Sequence, residues 1–358
     1  MNDAAAMPFQ ELLEHLERLA NESLPLWGVP EGAKARLINV SENATYLVEA
    51  DGFCSVLRIH RPDYHSRRGI GQELAWSQAL AADQMVQTPP PIPGVNGELV
   101  QEGHVEGLPE TRFMVMFTFS PGRQPDENED LTAPFEQLGA IAAHTHLHSQ
   151  GWRKPEPLER LVWDAEAVFG PKANWGDWRD APNVTPEIRE ILEKAETLIC
   201  RRLAAFGKRP DRYGLIHADM RLANLLIDGD STTLIDFDDC GLGWFLYDFA
   251  TGVSFIEDHP QVPALREAWV RGYRSVRALS AEEEHEIDTF VMLRRMALLA
   301  WIGSHIDAPE PQALAPHFAA NTAKLAKNYL AHFSAGAASP KAAGEIRATV
   351  DATAGDKR

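Results

Sequence analysis

Residues 215–239, LIHADMRLANLLIDGDSTTLIDFDD, set one histidine, one asparagine and six aspartates among leucines and isoleucines. Two short β-type runs, NLLI and TTLIDF, are joined by DGDS, and an antiparallel hairpin centred near Asp230 puts Asn224 opposite Asp236. Asp219 stands five residues before Asn224, in the HADM turn that leads into the first run. Three oxygen-bearing side chains thus converge where the hairpin meets its loop. Hard oxygen donors of this kind suit Mg²⁺, which takes one or two carboxylates and completes its shell with phosphate oxygens and water. The chemistry expected is metal-assisted handling of a phosphate.

A chain must build a sizeable scaffold to hold such a cluster. This one has 358 residues, 44% hydrophobic and 24% charged, enough for one large core or two smaller ones. Its 34 Lys plus Arg against 52 Asp plus Glu give a net charge of −18, which opposes a nucleic-acid partner. Cys54, Cys200 and Cys240 are too scattered for a disulfide framework or a CxxC metal site. The N-terminal MNDAAAMPFQELLEHLERLA lacks the apolar core of a signal peptide, and the longest apolar run near the C-terminus, MALLAWIG, is too short to cross a bilayer. The expectation is a cytoplasmic protein with no membrane partner.

The pattern along the chain divides it. Phe9, Leu12, Leu13, Leu16 and Leu19 recur at helical spacing, so residues 1–30 read as a helical extension. Residues 31–119 hold the β-type runs ARLINV, TYLVEA and CSVLRIH, with Asp51-Gly52 as a hairpin turn, then a helix near 69–82 and the apolar strand FMVMFTF. After Pro121-Gly122, residues 120–334 are mainly helical and include a long helix opened by Ser280 with Glu283 three residues on. Residues 335–358 lack an apolar period and read as a disordered tail. His144, His146 and His148 share one helix without a further ligand in view, and read as structural. The fold class expected is α+β, a small antiparallel-sheet lobe followed by a larger helical lobe.

The set His217-x-Asp219-x-x-x-x-Asn224 with Asp236 beyond it resembles the catalytic loop and metal-binding strand of the protein-kinase superfamily. HAD stands where protein kinases have HRD, and DFDD replaces DFG. With YDFA at Asp248, the chain is most similar to the aminoglycoside phosphotransferase and choline kinase-like branch, near the kinase-fold homoserine kinases and bacterial stress-response kinases. The resemblance implies ATP and Mg²⁺ as cofactors, Asp219 as the catalytic aspartate, and Asn224 and Asp236 as metal ligands. It implies structural tasks for His217, which holds the loop, and for Asp248, which caps the loop backbone. In the smaller lobe Arg58 takes the place of the usual strand lysine and Glu73 that of its helical partner. Ser41 and Asn43 occupy the hairpin over the phosphates, and the backbone near Phe117 and Phe119 occupies the hinge that meets adenine.

The acceptor implied is a hydroxyl of a small molecule. Asp238, Asp239, Glu257 and Asp258 follow the hairpin closely and suggest an amine on that acceptor. Asp238 shares a strand face with Asp236 if the strand continues, and Asp239 then points away. Trp163, Trp175 and Trp178, interleaved with Asp164, Asp177 and Asp180, suggest a cation-recognising lid. The alternatives are a serine/threonine kinase of the stress-response type, a homoserine kinase, or a nucleotide-binding pseudokinase.

Overall fold

A computed structural model describes residues 7–40, 43–126, 128–229 and 231–337. Helix α1 (Phe9–Glu22) buries Leu16, Leu19 and Ala20 in one apolar cluster with Tyr46, Val48, Leu57 and Ile59 of the sheet that follows. That sheet is antiparallel. Strands β1 (Lys34–Val40), β2 (Ala44–Ala50) and β3 (Phe53–Ile59) form a meander, α2 (Arg67–Ala82) intervenes, and β4 (Pro91–Ile92), β5 (Gln101–Gly103) and β6 (Arg112–Thr118) complete it in the order β1-β2-β3-β6-β4 with β5 on β6. Alternation along β3 sends Leu57 and Ile59 into the apolar cluster and Arg58 to the opposite face, where it is also buried.

Helix α2 starts at Ser66, whose hydroxyl accepts the Gly69 N–H at 3.0 Å. Its Ile70 and Leu74 pack with Val115 of the sheet, while its Trp76 and Leu80 join the core of the second lobe. The helix carrying Glu73 is thereby fixed to both lobes.

The second lobe contains α3 (Thr132–Gly151), β7 (Leu161–Trp163), α4 (Ala165–Phe169), α5 (Pro186–Phe206), β8 (Tyr213–Ile216), the hairpin β9 (Leu225–Asp228) and β10 (Ser231–Leu234), β11 (Gly241–Trp244), α6 (Tyr247–Gly252), α7 (Val262–Val276), α8 (Ala281–His285), α9 (Ile287–Ser304) and α10 (Pro309–Ala337). Helices α3 and α7 touch backbone to backbone. A Cβ on Gly139 would lie 2.1 Å from the Trp269 carbonyl oxygen, and one on Gly272 would lie 1.8 Å from that of Glu136, so only glycine allows this approach.

Several expectations are corrected. The hairpin register pairs Leu225 with Leu234, and the Asn224 carbonyl accepts the Ile235 N–H, so Asn224 faces Ile235 and not Asp236. Asn224 itself ends a 3-10 turn (Leu222–Asn224) instead of opening the strand. The three-stranded sheet β7-β11-β8 went unread, because its strands of three and four residues are too short to show a period. Ser280 and Glu283 do form a capping box, but it opens the five-residue α8, and α9 begins separately at Ile287. Helix α10 runs to Ala337, past the expected start of the tail; residues 338–358 lie outside the described residues. Strand β6 ends at Thr118, leaving Phe119 outside it and 45% exposed.

Candidate active site

Asp219 lies in the turn between β8 and the 3-10 segment, and the turn is held from behind. Ala218 has φ of +66°, a strained value for a residue with a Cβ. The Asp248 carboxylate at the start of α6 offsets that strain. Its Oδ1 accepts the Ala218 N–H at 2.7 Å, and its Oδ2 accepts the His217 N–H at 3.2 Å and the His146 Nε2–H at 2.9 Å. His146 of α3 is in turn fixed through Nδ1 by the Tyr273 hydroxyl of α7 at 2.9 Å. The close α3–α7 contact therefore anchors the loop that carries Asp219. His217 closes the other side, its Nδ1 accepting the Asp219 N–H at 3.2 Å and its Nε2 lying 3.1 Å from the Ile235 carbonyl.

Burial pushes the imidazoles of His60, His146 and His217 below the ordinary histidine value. Burial therefore favours their neutral forms in the folded protein over the unfolded one. The sign follows from linkage: the unfolded state takes up the extra protons, so stability falls as pH drops below about 6.5 and keeps falling toward the lowered folded values. Each such group contributes up to about 1.4 kcal/mol per pH unit. Urea unfolding of Asp236→Asn, which removes a carboxyl raised to about 7 that opposes the histidines over the same range, is expected to show lower stability at pH 5.5 than at pH 7.5, and a flat profile would contradict neutral burial.

Around Asp219 the charges are dense. Its Oδ2 accepts the Asn224 Nδ2–H at 2.7 Å and lies 3.3 Å from Arg221 Nε, and its Oδ1 accepts from Arg294 Nη2 at 2.8 Å. Burial raises this carboxyl, but the guanidinium charges of Arg221 and Arg294 outweigh it and hold Asp219 below the usual carboxylate range. The Asn224 amide turns its nitrogen to Asp219 and its oxygen away from it.

Asp236 follows β10 with φ of +61°, a left-handed turn that aspartate tolerates. Phe237 then plugs between Trp76 and His217, at 5.6 and 4.5 Å between ring centres, and fixes the segment. Arg58 bridges from the first lobe: Nη2 donates to Glu73 Oε1 at 2.5 Å and Nη1 to Asp236 Oδ1 at 3.2 Å. Lost hydration, and then, against the pull of Arg58, the carboxylates of Asp238, Asp219 and Glu73, push the Asp236 carboxyl up to about 7. With 44% of this side chain open to solvent, crowding of negative charge is the physical reason that carries weight.

Two cavities meet at Asp219. One lies between the β1–β2 hairpin (Asn39, Asn43, Thr45) and Asp219, Arg221, Asp236, Asp238 and Asp239. The other has Trp175, Phe255, Leu298 and Trp301 for apolar walls and Asp219, Asp239, Arg221 and Arg294 for polar ones. Asp219, Arg221 and Asp239 belong to both. Among the described residues, no three His, Cys, Asp or Glu side chains are grouped to hold a metal by themselves. A cation here needs oxygens from a ligand as well as from Asp236 and Asn224, the donor pattern that suits Mg²⁺.

Other predicted residues are placed differently. Asn43 commits both ends of its amide to the protein, its Nδ2 donating to Asp238 Oδ2 at 2.8 Å and its Oδ1 accepting from Arg61 N at 3.1 Å. Ser41 lies outside the described residues. Asp238 is buried beneath Asn43, His60 and His65, whereas Asp239 lines both cavities and accepts the Tyr64 hydroxyl at 2.6 Å. Glu257 is sealed in an ion pair with Arg295 at 2.6 Å, and Asp258 is exposed on the surface; neither lines a cavity with Asp219. Phe117 stacks its ring 5.2 Å from the Arg58 guanidinium. Trp163, Trp175 and Trp178 are buried core residues instead of a lid, and of the three only Trp175 lines the second cavity. Asp164 and Asp177 cap their own short helices. Cys54, Cys200 and Cys240 are free thiols, and no helix among the described residues is long and apolar enough to cross a membrane.

Comparison with known proteins matches residues 34–286 to the model of the phosphotransferase enzyme family. The solved structure of a microcompartment-associated aminopropanol kinase superposes with a TM-score of 0.81, at 44% identity over 87% of this chain and 97% of that one. The amicoumacin kinase of Bacillus subtilis (strain 168) is 24% identical over 304 residues, 82% of this chain and 86% of its own. A homoserine kinase of Neisseria meningitidis serogroup B is 36% identical over 184 residues, covering 49% of this chain and 54% of its own.

Proposed function

The chain belongs to the phosphotransferase enzyme family and is a small-molecule kinase with the two-lobe protein-kinase-like fold, and from that premise we propose that it transfers the terminal phosphoryl group of ATP to the hydroxyl of a short amino alcohol. The observation that carries this reading is the pair of cavities sharing Asp219: one has carboxylates and Arg221 that suit a cation and the phosphates it carries, the other has apolar walls beside Asp219 and Asp239 that suit a small acceptor. Asn224 and Asp236 would hold Mg²⁺, which neutralises charge on the transferring phosphoryl oxygens. Charge crowding at Asp236 supports that assignment, because a cation relieves it. Arg58, held by Glu73 and Asp236 beside the cavity, is placed to meet the nucleotide phosphates. Asp219 orients the acceptor hydroxyl and takes its proton as the new bond forms. The compartment that supplies ATP and Mg²⁺ is the cytoplasm, where we place the protein.

An amine on the acceptor has a counter-charge in Asp239 and an aromatic wall in Trp301. Likeness to an aminopropanol kinase at 44% identity supports the same acceptor class. The test is ADP release with 1-aminopropan-2-ol, its N-acetyl derivative and propane-1,2-diol. Removing the ammonium charge is expected to lower kcat/KM at least about tenfold, some 1.4 kcal/mol. Equal use of the three would reject the amine and leave a neutral polyol as the acceptor.

A further inference from the structure

An acceptor with an amine at one end and a hydroxyl at the other has two ways to enter a closed pocket, and only one brings oxygen to Asp219. Arg294, in the middle of α9, is almost wholly buried. Its Nε donates to Ser254 Oγ at 3.1 Å and its Nη2 to Asp219 Oδ1 at 2.8 Å, while its guanidinium lies 5.1 Å from the Trp175 ring. Its guanidinium also meets the Tyr247 side chain, while the buried Nε1 of Trp175, which lines the same cavity, has no hydrogen-bond partner among the described residues. The Asp219 end of the pocket thus has one carboxylate against two guanidinium groups, with a donor to spare. Asp239 and the Trp301 indole line the same cavity, and Asp239 interacts with the Arg294 charge less than Asp219 does.

We propose that Arg294 fixes the direction in which the acceptor enters, by holding Asp219 for a neutral hydroxyl and refusing an ammonium group at that end. The proposal rests on the amine reading given above. A hydroxyl donates its proton to Asp219 and still offers lone pairs to an unpartnered N–H; an ammonium has donors only and meets like charge. The buried anchor at Ser254 keeps the guanidinium from swinging away, and the Trp175 face supports it from one side. Arg294 is therefore a positioning and specificity residue, acting on the acceptor partly through Asp219.

Propylamine and 1,3-diaminopropane, used as competitors of 1-aminopropan-2-ol, differ only in the far group. The wild type is expected to bind the diamine at least tenfold more weakly than propylamine. In Arg294→Met that gap is expected to shrink to threefold or less, and kcat to fall at least tenfold. Arg294→Lys keeps the charge but loses the fork, so the gap should persist while kcat drops. A gap unchanged in the methionine variant, or lost in the lysine variant, overturns the proposal; the lysine variant decides alone if the other does not fold. Should neither amine compete, the amine reading fails instead, and propan-1-ol against propylamine becomes the pair for the Asp219 end. The uncharged end is then expected to win by tenfold in the wild type only, and equal binding in the wild type overturns the role of Arg294.

Discussion

Replacing Asp219 with asparagine is expected to lower kcat by about 10²–10⁴, roughly 3–5 kcal/mol in the barrier, with little change in Mg·ATP affinity. The two effects separate because Asp219 sits at the junction of the cavities without being the crowded carboxylate of the cation site, which is Asp236. Asparagine keeps the shape and loses the charge. It also has to turn its NH₂ toward one of two donors, Asn224 Nδ2 or Arg294 Nη2, so one of those contacts is lost as well. The remaining oxygen still orients the side chain, but the buried Arg294 loses its counter-charge, so a stability cost of about 1–3 kcal/mol accompanies the loss of turnover. Calorimetric titration with a non-hydrolysable nucleotide, alongside ADP release, reads both quantities. Turnover above half the wild-type value would remove Asp219 from the chemistry.

The distinction between the neighbouring acids shows where sequence reasoning reached and where it stopped. The nearness of Asp219 to Asn224 is legible in their five-residue spacing, whereas the expected pairing of Asn224 with Asp236 is not met, since Asn224 faces Ile235. Asp238 and Asp239 exchange the faces that an unbroken strand to residue 239 would give them. The strand ends at Leu234, and the left-handed turn at Asp236 inverts the alternation beyond it. Glu257 and Asp258 were chosen for nearness in sequence, but Glu257 is claimed by Arg295, 38 residues on. Arg294, 75 residues from Asp219, was missed altogether. A signal existed: two arginines interrupt the apolar run VMLRRMALLAWIG, and a cation on a helix buried nearly all round requires a partner. Which partner each takes depends on the packing of α9 against α6 and the catalytic loop, and no local pattern encodes that.

Asp248→Ala is expected to cost about 3–5 kcal/mol of folding stability, the range for removing one partner from a buried charged network, and to abolish turnover in the fraction that still folds. The carboxylate accepts from two backbone N–H groups and one imidazole, all in the interior, and alanine leaves all three donors unpaired. Water cannot easily take its place, because His146 is stacked on Phe245 at 4.5 Å and fixed by Tyr273. Without the two backbone contacts nothing offsets the positive φ at Ala218, and the turn is free to relax toward an ordinary conformation. That relaxation moves Asp219, which is the next residue. Asp248→Asn keeps one acceptor oxygen while its NH₂ faces a donor, so an intermediate loss of about 2 kcal/mol is expected. Urea unfolding ranks the variants, and circular dichroism separates misfolding from inactivity. The network view would be untenable if the alanine variant stayed within about 1 kcal/mol of the wild type and retained its kcat, because the strained turn would then be held by the chain around it and not by the carboxylate beneath it.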